Sequence, residues 1–290
     1  MRKWIVQALT PILVALALLL GVVALGRGTR AALHDRAAYT LALTDIDCEA
    51  PEGLSREEFL GEVRSLAHVP DRLHLLDEDL PARLAQAFAI HPWVESVRRV
   101  ELRGTGSQVR VELIPRQAVL AVCLSGEKIP RDGSALIETW TGVGRNALMP
   151  ARAVDRQGVL LPVAAVHSHL PVLITDVAAP AGSAGTYWGD PRVAAAAATV
   201  TFLKPHLRRL RLADCDLEMV QGEVVFRKPG VRVVWGHAPG QETTGEATAA
   251  IKLHRLLDYQ SGHDGLESLE HDVRLLAFQG HFPLPANDEP

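Results

Sequence analysis

Few stretches of this chain hold residues at spacings that could do chemistry, and each has a plainer use. Gly142-Val143-Gly144-Arg145-Asn146-Ala147 matches the Gly-x-Gly-x-x-Ala string of a dinucleotide-binding turn. That string works only between a strand and a helix, where the backbone can approach a pyrophosphate. Pro150 follows it instead of a helical pattern. Gly26-Arg27-Gly28-Thr29-Arg30-Ala31 fits the same string at the end of an apolar run. Among twelve histidines, His167-Ser168-His169 is the one close pair. Period two would put both on one face of a strand, but no third metal ligand stands at helical spacing. Asp77-Glu78-Asp79 suits a helix N-terminus, where carboxylates meet the positive end of the dipole. There is no Gly-x-Ser-x-Gly nucleophile elbow. Cys48, Cys123 and Cys215 are too few for a disulfide framework and read as small buried apolar residues; if one pair bridges, it is Cys48 with Cys123. The reading is a chain without catalytic residues, metal ligands or cofactor site.

The elements that surround these residues say more. The chain has 290 residues and a formal net charge of −4, without the basic stripe of a nucleic-acid binder. Trp4 to Gly26 carries no charge. As a helix it would be about 34 Å long, against a hydrocarbon core of roughly 30 Å. It exceeds the roughly 7–15 apolar residues of a signal peptide. The expectation is an uncleaved transmembrane helix over 4–26 behind a cytoplasmic tail of residues 1–3. Arg2 and Lys3 on one flank nearly balance Arg27, Arg30 and Arg36 on the other. The short tail cannot hold a domain, so the bulk is placed outside the cytoplasm.

Beyond a polar linker, Tyr39 to Asp47 alternates as a strand. Ser55-Arg56-Glu57-Glu58 opens a helix with a capping box, and Phe59, Leu60, Val63 and Leu66 form its apolar stripe. A second helix follows, with Asp77 as N-cap, Pro81 in its first turn, and Leu80, Leu84, Ala87 and Phe88 inward. His91-Pro92-Trp93-Val94 leads into a strand through Val97, Val100 and Leu102. Gly104 to Ser107 turns into a partner strand, Val109 to Leu113. The order is strand, helix, helix, strand, strand.

That order, with Pro92-Trp93-Val94-Glu95-Ser96-Val97, resembles a POTRA domain, and most of all the one in the bacterial cell-division proteins FtsQ and DivIB. After the third strand, Pro115-Arg116-Gln117-Ala118-Val119-Leu120-Ala121 keeps the arginine and the final alanine of that family's Glu-Arg-x-Pro-x-Ala. Residues 125–150 read as an irregular connection. Val154-Asp155-Arg156-Gln157-Gly158 is similar to the family's Val-Asp-x-x-Gly, and Leu170-Pro171-Val172-Leu173 to its Leu-Pro-x-Leu. Asp190 caps a helix to about Leu203. Three strands follow, Leu207 to Met219, Val224 to Arg227 and Val231 to Trp235. Trp235-Gly236, then Lys252-Leu253 on an amphipathic helix, then His271-Asp272-Val273-Arg274-Leu275 complete the resemblance.

The expected fold class is therefore α+β: a single transmembrane helix, a POTRA domain (β-α-α-β-β) over 39–122, a mixed sheet-rich domain with flanking helices over 150–278, and a tail over 279–290. The resemblance implies a non-catalytic divisome scaffold of the inner membrane with a periplasmic bulk. Its expected partners are small single-pass coiled-coil division proteins of the FtsB/DivIC and FtsL kind, which add a strand at Asp272, Val273, Arg274, Leu275, Leu276 and Ala277. Leu275 and Ala277 stand where one branch of the family has tyrosine and serine. The strand at Val109 to Leu113 is a second candidate for pairing with a partner. Another POTRA-bearing transport or assembly module would need tandem POTRA repeats or a following barrel. An anchored exported enzyme would need a pocket of converging titratable groups.

Overall fold

The computed structural model describes residues 18–24, 39–103, 108–124, 134–141, 144–229, 231–262 and 273–274. Two compact units divide between Ile114 and Pro115. The expected transmembrane helix is overturned: among the described residues no helix is long and apolar enough to cross a membrane. The described helical stretch there is α1 (18–24). The remainder of the 4–26 run lies outside the described residues.

In the first unit the strand expected at Tyr39 to Asp47 is two short strands, β1 (Thr40–Ala42) and β2 (Asp47–Cys48), parted by a 3-10 turn at Leu43–Asp45. Helix α2 (Arg56–Ala67) opens with the capping box and closes at His68 in the left-handed region, φ 52°. Strand β3 (Arg72–His74) pairs antiparallel with β1. Helix α3 (Leu80–Ala89) carries Pro81 in its first turn; its N-cap is Asp79, and Asp77 instead faces Arg83 at 3.5 Å. Strands β4 (Val94–Arg103) and β5 (Gln108–Pro115) complete a three-stranded sheet in the order β2-β5-β4. Phe59, Val63, Leu84, Phe88, Val109 and Val111 fill the core. Burying a side chain of this size contributes roughly 1.5–3 kcal/mol.

The second unit is an eight-stranded sheet in the order β13-β12-β11-β10-β9-β6-β8-β7. Its strands are β6 (Leu120–Cys123), β7 (Ala135–Thr141), β8 (Gly144–Val154), β9 (Val172–Leu173), β10 (Asp216–Val220), β11 (Glu223–Lys228), β12 (Val231–Gly236) and β13 (Val273–Arg274). Helix α4 (Pro191–Leu203), capped by Asp190, packs on β6, β10 and β11. Val193, Ala196, Ala197 and Val200 join the core with Leu217, Phe226 and Trp235. Its alanines let the helix lie close: a Cβ on Gly158 would sit 3.1 Å from the Ala194 Cα, and Gly158 has φ +77°. Both facts demand glycine there. Helix α5 (Ala249–Gly262) adds Ala249 and Leu256 to the same core.

Three expectations change here. Strand β6, expected inside the POTRA domain up to 122, pairs with β8 and β9 in the second unit. The segment expected to be irregular over 125–150 contains the β7–β8 hairpin. The strand expected from Leu207 is a run of turns, and pairing begins only at Asp216.

Candidate partner-binding edge

Strand β12 lies next to the end of the sheet. Alternation buries Val233 and Trp235 in the core, and Gly236 ends the strand at φ +91°. The loop that follows would be free to wander without an internal tie, and Glu246 supplies one. Its carboxylate accepts from the backbone N–H of His237 at 2.8 Å and of Thr243 at 3.0 Å, and lies 2.8 Å from His237 Nδ1. Lys252 donates to the same carboxylate at 2.5 Å and to the His237 carbonyl at 3.2 Å. The Lys252 side chain has no exposed surface, and its ammonium sits 5.3 Å from the Trp235 ring centroid. Burial works to raise the Glu246 pKa, but the hydrogen bonds from Lys252, Thr243 and His237 outweigh it and hold the group at about 2. Glu242 accepts from the N–H of Gly240 and of Ala249, the first residue of α5. The end of β12 is thus latched to the start of α5.

That latch sets where α5 runs, and the chain returning from α5 forms β13. Strand β13 lies parallel to β12, with Val273 beside Val233 and Arg274 beside Val234. A parallel neighbour requires a long crossover connection, and α5 lies within this one. Strand β13 is outermost, and among the described residues no strand pairs with its other side. Of the six expected site residues, Val273 and Arg274 form this strand; Asp272, Leu275, Leu276 and Ala277 lie outside the described residues. At the second candidate, Val109 to Leu113, β5 lies between β2 and β4, and β2 takes the outer side at Arg110 and Val111.

The other motif residues sit at structural joints. Asp155 Oδ1 accepts from the N–H of Gln157 and Val159, and its Oδ2 pairs with Arg116 at 2.5 Å. This partly buried pair ties the segment leading into β6 to the turn after β8. In the first unit His91 is buried, with Nε2 2.9 Å from Glu62 Oε2 and Nδ1 accepting from the Trp93 N–H at 3.3 Å. Its ring meets Phe59 edge-on at 4.7 Å. Burial lowers the His91 pKa despite the Glu62 carboxylate, which pulls the other way. Trp93, at the joint between α3 and β4, is buried as well. His167 and His169 have ring centroids 6.3 Å apart. The three cysteines are free and buried, so Cys48 and Cys123 are not bridged; burial pushes their thiols up to about 11 and about 12. An open hollow of about 210 Å³ between α2 and α3 is lined chiefly by apolar groups such as Leu73, Leu84 and Ile90, with Arg83 and His68 among them.

The Glu246–Lys252 tie was missed from sequence. Its signal was a lysine four residues before Leu256 on the inward side of an amphipathic helix, a place that demands a buried acid partner.

No protein-family model matches this chain, and no curated protein matches it.

Proposed function

We propose that this protein is a non-catalytic scaffold of bacterial cell division, of the FtsQ/DivIB kind, which holds partner proteins by accepting a β-strand at β13. The observation that carries the reading is the outermost position of β13, held in register by β12 and by the latch that precedes α5. An edge strand leaves a row of amides and carbonyls unpaired, and an extended segment can satisfy them. Further support comes from the motif residues behind the resemblance. Arg116 meets Asp155, and Lys252 meets the Trp235 and Gly236 end of β12, so residues far apart in sequence act together.

The partners this role calls for are small single-pass coiled-coil division proteins like FtsB/DivIC and FtsL, bound through residues 272–277. The role places the protein at the inner membrane, with its bulk on the periplasmic side. Photo-crosslinking from positions 272–278 in living cells tests it. The expected product joins this chain to a small coiled-coil membrane protein. Val273→Pro removes a backbone donor from the strand and abolishes that product. Capture that survives the proline would overturn strand addition at this edge.

A further inference from the structure

Among the described residues the sheet margins are β1 and β3 of the two-stranded sheet, β2 and β4 of the three-stranded sheet, and β13 and β7 of the large sheet. They are defended unequally. Strand β4 carries Glu95, Arg98, Arg99, Glu101 and Arg103, the kind of charge load that keeps an edge from pairing. Strand β7 reads Ala135-Leu136-Ile137-Glu138-Thr139-Trp140-Thr141, with one charge and no proline or lysine. Leu136 is 65% exposed. Leu148 on β8 stands opposite Glu138, on the same face as Leu136, and is 61% exposed. Ile137 and Thr139 point the other way and are buried. The margin therefore joins an unguarded backbone to a pair of solvent-facing leucines.

We infer that β7 is a self-association edge, at which a second copy of this chain pairs antiparallel across a two-fold axis. The strand's own sequence is compatible with a second copy as occupant, and its single charge limits the register. A two-fold axis perpendicular to the sheet keeps each side chain on its own face, so the axis must pass midway between the two copies of one residue. An axis at Glu138 would set two carboxylates directly opposite, which is unfavourable. An axis at Ile137 sets Ile137 against itself, Ala135 against Thr139 and Leu136 against Glu138. The two carboxylates then stand on a diagonal about 7–8 Å apart, and so do the two Leu136 residues. The two Leu136 side chains meet across that diagonal, while each Leu148 flanks the Glu138 of its own copy on the same face. Such an isologous contact closes on itself, so the product is a dimer and not a fibre. It uses the margin opposite β13 and leaves that strand open.

Sedimentation of the purified full chain tests the pairing. The expected result is a monomer–dimer equilibrium below roughly 100 µM, weakened at least about tenfold by Leu136→Arg. Circular dichroism of that variant should match the parent, because residue 136 is exposed. The register is tested by mixing two separately purified variants, Leu136→Cys and Glu138→Cys, under mild oxidation. The mixture should give a cross-linked dimer that neither variant gives alone, since the native cysteines are buried. A chain that stays monomeric at that concentration, or a dimer indifferent to Leu136→Arg, overturns the inference. Cross-linking of either variant with itself, without preference for the mixture, overturns the register.

Discussion

Both units bury a polar side chain at a helix–strand junction, and they do it in opposite charge states. In the first, His91 sits between α3 and β4 as a neutral ring, accepting from Trp93 N–H and reaching Glu62. In the second, Lys252 and Glu246 sit between β12 and α5 as an ion pair with backbone groups around it. A neutral buried group is cheap to hold but loses its place when acid protonates it. A buried pair resists acid, yet neither member survives the loss of the other.

The sharpest way to break this contrast is Lys252→Met. It strands the Glu246 carboxylate in the interior and should cost about 3–5 kcal/mol in denaturant unfolding. The double variant Lys252→Met, Glu246→Gln should recover most of that loss, because no buried charge remains. Cross-linking from 272–278 should fall in the single variant and return in the double one.

Acid should separate the two junctions. His91 is lowered from 6.5 when folded, so the unfolded chain binds more protons as pH falls below 6.5. Stability from that corner declines from there until the lowered folded value is passed. Glu246 moves from 4.5 to about 2, so its contribution is intact above 4.5 and is lost between 4.5 and about 2. Amide exchange should therefore quicken in α2 and α3 before it does in α5, and His91→Gln should remove that lead. If α5 opened first, the contrast would be wrong.

The smallest expected effect concerns a charge placed at a helix end instead of inside. Asp190 accepts from the N–H groups of Arg192 and Ala178 and pairs with the Arg192 guanidinium, which holds its carboxyl at about 2. Asp190→Ala should cost about 1 kcal/mol by thermal unfolding, the size of a lost helix cap.

Local signals were legible where one side chain serves its own neighbours. Ser55 with Glu58, Asp190 before α4, and the turn at Gln221-Gly222 all act within a few residues. The β7–β8 hairpin was hidden because Gly142, Gly144 and Pro150 punctuate it; Pro150 pairs with Leu136 inside β8 all the same. The apolar residues from Leu207 imitated a strand. Leu207, Leu210 and Leu212 instead plug the core from successive turns, with Arg211 at φ 53° between them. At the site, the sequence marked Val273 and Arg274 as strand, but their parallel register on β12 depends on a crossover of 36 intervening residues, about the scale of a full βαβ unit. No local pattern encodes that pairing, nor the meeting of Lys252 with Trp235.

The parallel placement of β13 has a consequence for biogenesis. The other seven strands of its sheet leave the ribosome before it, and it can take its seat only after the helical crossover has formed. If β13 receives a partner strand as proposed, a margin assembled in that order is withheld from truncated or half-folded chains, and engagement at it doubles as an inspection of the finished domain.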